Sequence, residues 1–248
     1  MSSDNKELII RKDFLITSAD VDFEGTLKFS ALANFLIQSA WQHAEHLGWG
    51  VNDLLEKNLA WVLSGFKIEI LAYPHWKENI IVETWPKGIN RLFYLRDYFV
   101  YNESGVLIAK ATTNWLLIDI ERRRPKLIEI DNTIFRSNTN RHAINEYVPD
   151  LEFPGGSAEV TPYQVRYSNI DINQHLTTTG YLDFVFDTYS PDFISGNRPK
   201  TVVANFIKEI KFGMEVNMLR NNTDEKSHKF QLEPSDKKTV YFRAMLEF

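Results

Sequence analysis

Apolar residues crowd almost the whole circumference of a helix between Ser30 and Gly48. Leu32, Ala33, Phe35, Leu36, Ile37, Ala40, Trp41 and Ala44 leave only a narrow polar stripe of Asn34, Gln38, Gln42 and Glu45. A helix with so little polar surface must be nearly engulfed by its surroundings. Ser30 is the expected N-cap and Gly48 the expected stop. The flanking segments have a different period. Residues 7–17 read as a strand, and 61–71, 79–85, 91–102 and 106–119 are rich in β-branched and aromatic residues. Turn signals at Tyr73-Pro74, Pro86-Lys87-Gly88 and Asn102-Glu103-Ser104-Gly105 part them. In 106–119 the alternation is clean: Leu107, Ala109, Ala111, Thr113, Trp115 and Leu117 face one way, Lys110, Thr112 and Asn114 the other. This pattern predicts an antiparallel sheet curled around one helix.

Periodicity dissolves over 131–161, where polar residues gather with Pro149, Pro154, Gly155 and Gly156, and a crossing linker is expected there. A second series follows: a strand over 165–168, a helix over 178–189, and strands over 201–212, 215–220, 226–232 and 237–248. The two series read as copies. Val21-Asp22-Phe23-Glu24-Gly25-Thr26-Leu27 stands ahead of the first helix as Ile170-Asp171-Ile172-Asn173-Gln174-His175-Leu176 stands ahead of the second. The division expected is therefore 1–130, a linker over 131–161, and 162–248.

Composition narrows the function classes. The 248 residues are 44% hydrophobic, ample for a large core, so disorder is not the expectation. A net charge of −5 gives no global basic field for nucleic acid or an acidic membrane. Cysteine is absent, which removes disulfides, thiolate metal sites and a thiol nucleophile together. The start of the chain has no signal-peptide core, and no run approaches the roughly 18 apolar residues of a membrane span. A cytoplasmic location is expected on those grounds.

The candidate chemistry sits in the second copy. Asp171, Asn173 and His175 alternate directly ahead of its helix, so in an extended backbone all three side chains point the same way, toward unpaired first-turn N–H groups that suit an anion or an oxyanion. Asp, Asn and Thr ahead of a helix also serve as caps and turns, and that reading stays open. The first copy keeps Asp22 but has Glu24 and Thr26 where the second has Asn173 and His175. Glu209 falls in the apolar strand expected over 201–212. It either sits at an edge or pairs with Lys208 or Lys211, or it is a carboxylate placed to activate water. His43 and His46 form an HxxH spacing that reads as packing or surface rather than metal, because no HExxH motif and no Cys accompany it. The run Arg122-Arg123-Arg124-Pro125-Lys126 reads as a solvated strand end, with a docking patch for an acidic partner as its rival.

Taken together, Leu59-Ala60-Trp61-Val62-Leu63, Val82-Glu83-Thr84-Trp85-Pro86, Leu95-Arg96-Asp97, residues 109–115, Arg123-Arg124-Pro125 and residues 167–175 resemble, in order, the motifs of the acyl-ACP thioesterase family of bacteria and plant plastids. The resemblance implies an α+β fold, a tandem double hot-dog of two curved antiparallel sheets, each wrapped around a long helix. It implies hydrolysis of a fatty acyl thioester on acyl carrier protein without a cofactor, with Asp171, Asn173, His175 and Glu209 as the catalytic set, and pairing into a homodimer is common in such folds. Relatives usually carry two Asn where this chain has Thr177 and Thr178. Plant relatives often have Cys after the Glu, where Ile210 stands here, so attack by water is the expected route. An acyl tail is expected beside the first helix, near Phe35, Ser39, Trp41 and Trp61. An acyl-CoA thioesterase and a non-enzymatic acyl-binding protein are the rival readings.

Overall fold

The computed structural model describes residues 8–127, 138, 140–155, 157–222 and 224–248. In chain order the elements are β1 (Ile10–Leu15), α1 (Phe29–Leu47), α2 (Val51–Leu55), β2 (Leu59–Ile70), β3 (Asn79–Asn90), β4 (Phe93–Asn102), β5 (Leu107–Asp119), β6 (Arg124–Pro125), β7 (Glu159–Gln164), α3 (Thr178–Phe186), α4 (Pro191–Gly196), β8 (Thr201–Phe206), β9 (Glu215–Asn222), β10 (Ser227–Pro234) and β11 (Phe242–Glu247). Apart from the short β6, which pairs only with β5, the strands form one antiparallel sheet in the order β1-β3-β4-β5-β2-β8-β11-β10-β9-β7. The order has the same logic from either end: two five-strand halves joined by β2 and β8.

At that joint Gly65 lies opposite Asn205. A Cβ on Gly65 would stand 2.7 Å from the Ala204 carbonyl oxygen, so only glycine lets the two backbones approach this closely. The helices α1 and α3 lie inside the curve of the sheet. Leu32, Ala33, Phe35, Leu36 and Ala40 of α1 are buried, and Phe29 stacks on Phe186 of α3 at 5.7 Å. The engulfed helix read from the sequence is observed over its first half, whereas Trp41 further along is exposed, and Gly48 closes the helix at φ 81. Ser30 is not its cap: the cap position is Lys28, without a side-chain bond, and Ser30 is buried in the first turn.

Other boundaries shift for identifiable reasons. Pro86-Lys87-Gly88 is a bulge inside β3, not a turn, and the chain reverses at Arg91, whose φ is 55. The bulge leaves Lys87 buried beside Asp97 at 3.5 Å and bonded to the Ile144 carbonyl. Asp97 also accepts the Ala143 N–H at 2.7 Å, and Trp85 bonds the Arg141 carbonyl. Residues 141–148 are therefore pinned across the outer face of the sheet, burying Ala143, Ile144 and Val148. Their aperiodic sequence reflects anchorage by single polar contacts rather than by a ladder. The strand expected over 165–168 is a short 3₁₀ turn at Tyr167–Asn169, and the strand itself lies earlier, in β7. The start expected at residue 7, most of 131–139 and Gly156 fall outside the described residues.

Candidate active site

The loop ahead of α3 is a closed turn. Asp171 Oδ1 accepts the backbone N–H of Asn173 at 2.8 Å and of His175 at 3.1 Å, and Oδ2 accepts Asn173 Nδ2 at 3.3 Å. Gln174 adopts φ 61, its N–H bonds to the Asp171 carbonyl, and the Asp171 N–H bonds to the His175 carbonyl. The expectation that Asp171, Asn173 and His175 converge by strand alternation is corrected: the backbone is not extended, and Asp171 turns inward to hold its own loop.

The first copy builds the same turn. Asp22 Oδ1 accepts the N–H of Glu24 and of Thr26, and Gly25 adopts φ 74 where Gln174 stands in the second. The seats match too. The Leu27 N–H bonds to the Pro74 carbonyl as the Leu176 N–H bonds to that of Ile210, and Thr26 bridges His75 as His175 bridges Lys211. By this correspondence Tyr73 occupies the place of Glu209. The side chains differ sharply between the copies. Arg198 grips Asp22 at 2.5 Å and Glu24 at 2.8 Å, and Ser195 donates to Glu24 at 2.6 Å. Burial acts to raise the Asp22 carboxyl, but Arg198 and the two N–H donors outweigh it and hold the group below its ordinary range. The first loop is closed by an arginine and carries no histidine of its own, though its Thr26 hydroxyl meets the His75 ring at 3.4 Å.

In the second copy the bridge to Lys211 lays the loop against 209–211 and brings His175 Nε2 to 3.3 Å from Glu209 Oε2. Arg123 Nη2 meets the same oxygen at 2.5 Å. Glu209 is not in a strand as expected. Strand β8 ends at Phe206, because the N–H groups of Ile207 and Lys208 both bond to the Tyr241 carbonyl, and Glu209 follows on an irregular segment. Tyr181 of α3 donates to the Lys208 carbonyl at 3.1 Å and steadies that segment. The carboxylate is partly exposed, and its partners are Arg123 and His175 rather than Lys208 or Lys211. Sequence reasoning missed Arg123 as a contact of Glu209. The signal was the arginine run itself, read as solvated because it ends a strand far away in the chain.

Thr177 caps α3 through its hydroxyl, which accepts the Gly180 N–H at 3.0 Å. The N–H groups of Thr178 and Thr179 begin the helix, where no intrahelical acceptor exists. The site thus holds a carboxylate, an imidazole, an amide side chain and a helix start within one loop cluster. Beside α1, Trp41, Trp61, Pro86, Tyr94 and Trp115 wall a narrow cleft of about 40 Å³. Phe35 and Ser39, expected with Trp41 and Trp61, are not among its walls; both are buried, and Ser39 bonds to the Phe35 carbonyl. His43 and His46 part company: His43 is buried against Arg96 and His46 is exposed. Among the described residues no group of three His, Asp or Glu side chains is placed to hold a metal ion.

Comparison with known proteins follows this division of the chain. Residues 7–134 match the acyl-ACP thioesterase N-terminal domain and residues 154–244 the acyl-ACP thioesterase C-terminal domain. Oleoyl-acyl carrier protein thioesterase 2 of Arabidopsis thaliana is 24% identical over 217 residues, covering 80% of this chain and 59% of that protein. The palmitoyl-acyl carrier protein thioesterase of Gossypium hirsutum is 24% identical over 218 residues, covering 82% and 52%. The chain thus spans between half and three-fifths of the length of these curated relatives. The crystal structure of an acyl-ACP thioesterase from Bacteroides thetaiotaomicron superposes with a TM-score of 0.81 at 28% identity over 100% of both chains. The 12:0-ACP thioesterase of Umbellularia californica shares the fold, with a TM-score of 0.85 at 19% identity over 97% of this chain and 96% of that one.

Proposed function

The chain belongs to the acyl-ACP thioesterase family, and from that premise we propose that it hydrolyses fatty acyl thioesters of acyl carrier protein, releasing the free acid. The observation that carries the reading is the His175 to Glu209 contact of 3.3 Å beside the start of α3. Glu209 takes a proton from water as the water oxygen attacks the thioester carbon. The first-turn N–H groups of α3 receive the negative charge on the carbonyl oxygen, a contribution of roughly 3 to 4 kcal/mol per well-placed donor. The intermediate then collapses with cleavage of the C–S bond, and the thiolate recovers a proton. A thiol with a reference pKa of about 8.5 leaves without a strong general acid, so one base and an oxyanion site suffice.

The remaining polar groups have positioning roles. His175 orients Glu209 and its water, Asn173 presents its amide to the water or the thioester, and Asp171 holds the loop that carries both. The tryptophan cleft beside α1 takes the acyl chain after Trp41, which is 46% exposed, turns outward. The carrier protein, itself acidic, docks on Arg122, Arg123, Arg124 and Lys126, an exposed cationic run of which Arg123 meets Glu209. A homodimer and a cytoplasmic setting belong to the same proposal.

The test is hydrolysis of acyl carrier protein thioesters beside the matching CoA esters, with Asn173→Ala, His175→Ala and Glu209→Gln. Glu209→Gln is expected to lower kcat by about 10² to 10⁴ with little change in KM. Equal or faster turnover of the CoA esters would replace the carrier protein as the substrate. Tight acyl binding without turnover by the wild type would make the protein a binder and not an enzyme.

A further inference from the structure

The second half keeps a hollow of its own, and the strand register places it. Counted back from the matched seats at Pro74 and Ile210, Phe66 of β2 answers to Val202 of β8. Phe66, Thr113 and Arg96 lie in one cross-strand row, as Val202, Leu246 and His228 do, so His228 stands where Arg96 stands. Two residues past Thr113 and Leu246, Trp115 and Phe248 correspond, and Asn222 faces His228 as Pro86 faces Arg96. Pro86, Arg96 and Trp115 line the tryptophan cleft; Asn222, His228 and Phe248 line a cavity of about 920 Å³. The two hollows are counterparts. Their difference in room begins in the helices. Counted from Asp22 and Asp171, α1 over 29–47 answers to 178–196, but Ser190-Pro191 breaks the second run into α3 and α4. Asn197 also stands where Trp61 does, counted from the same seats. The cavity is therefore open at a size usual for a small-molecule site.

Its floor is aromatic and its rim cationic. Phe248 packs on Phe193 at 5.4 Å and on His228 at 5.0 Å. His228 is 4% exposed and meets the Tyr189 hydroxyl at 2.7 Å; burial, then Arg220, lowers its pKa, so the ring is neutral near pH 7. The Lys200 N–H bonds to the Glu247 carbonyl and the Phe248 N–H to the Lys226 carbonyl, so the two lysines flank the end of β11 from opposite sides. Their backbones stand two strand spacings apart, about 10 Å, which lets both side chains reach one group between them. Among the described residues neither ammonium has an ion pair. Asp224 is turned into its own loop, accepting the N–H groups of Lys226 and Ser227, which leaves Glu225 alone to oppose them. Arg198, spent on Asp22 and Glu24, walls the side toward the first loop. We propose that this cavity binds a free fatty acid, its chain on the three rings and its carboxylate between Lys200 and Lys226. The hydrolase reading above supplies only the origin of the acid, as the product released beside Glu209. Bound here, the acid meets no catalytic group, because Thr26 and Tyr73 stand where His175 and Glu209 stand at the other mouth. An apolar floor under two cations selects an amphiphilic anion over the same chain with a cationic head.

The experiment titrates dodecanoate, below the concentration at which it forms micelles, onto the whole protein by calorimetry, with dodecylammonium as the control. The wild type is expected to bind dodecanoate at least about tenfold more tightly than dodecylammonium. The double variant Lys200→Glu, Lys226→Glu should weaken dodecanoate by at least about tenfold. Asn197→Trp, which restores the indole of the first half and leaves the charge unchanged, should block binding by filling the cavity. Circular dichroism shows whether each variant is folded, and neither should change the hydrolysis of acyl carrier protein thioesters. No binding of dodecanoate, equal binding of the two head groups, or unchanged dodecanoate affinity in either folded variant overturns the proposal; in the last case the chain lies in the tryptophan cleft. If dodecanoate binds as stated while no thioester is cleaved, the hydrolase reading fails and this site stands. Cleavage without variant-sensitive binding removes the site alone.

Discussion

Arg123 shows how much one side chain depends on what it meets. It leaves β5 through a turn in which its N–H bonds to the Asp119 carbonyl, adopts φ 51, and places its guanidinium on Glu209. It both holds the carboxylate that faces His175 and belongs to the cationic run proposed for docking. Replacing it with Ala should therefore raise KM for carrier-bound substrate by about tenfold and make the reaction less sensitive to salt, since one exposed charge has left the docking face. Rates from 50 mM salt upward for wild type and variant provide the check. A wild-type rate indifferent to ionic strength would remove the basis for electrostatic docking.

Among the elements, α3 ties the site together: Thr177 caps it, Tyr181 reaches the Lys208 carbonyl, and its first turn faces the loop of His175. Thr177→Ala should cost about 1 kcal/mol of stability, measured by denaturant unfolding, and should lower kcat as well, because the helix start frays where the oxyanion is proposed to bind. Much of this scale was legible in the sequence. The apolar wheel of α1 announced a swallowed helix, the β-branched runs announced the strands of the first half, and the shared segment around Asp22 and Asp171 announced two copies. What escaped depends on bonds between distant residues. The end of β8 is set by the Tyr241 carbonyl, the bulge at Pro86 by the seating of Lys87 under Ile144, and the partner of Glu209 by Arg123. No local pattern encodes such contacts. The polar triplet was found by spacing, yet its geometry was misread, because alternation holds only for an extended chain and Gln174 breaks it.

Across the whole molecule the halves are fastened by more than the β2 to β8 joint. An arginine from each side reaches into the other: Arg198 holds Asp22 and Glu24 of the first loop, and Arg123 holds Glu209 beside the second. The Asp22 and Glu24 carboxyls are both held below their ordinary range, Glu24 by Ser195 first and then Arg198. A depressed carboxyl contributes stability that is fully present above its unfolded pKa and is lost as pH falls through the folded one. Wild type should therefore melt above Arg198→Met at pH near 7, and the gap should close as pH drops below about 3. Melting curves at the two pH values settle it: a gap that stays constant would show that Arg198 acts through packing and not through charge.

The matched turns at Asp22 and Asp171 carry a genetic consequence. When such an assembly is built from separate identical subunits, any change in the gene appears at both symmetry-related places, so an improvement at one mouth is forced upon the other. Covalent fusion ends that obligation. One turn is then free to be stapled by Arg198 while its twin sets His175 beside Glu209.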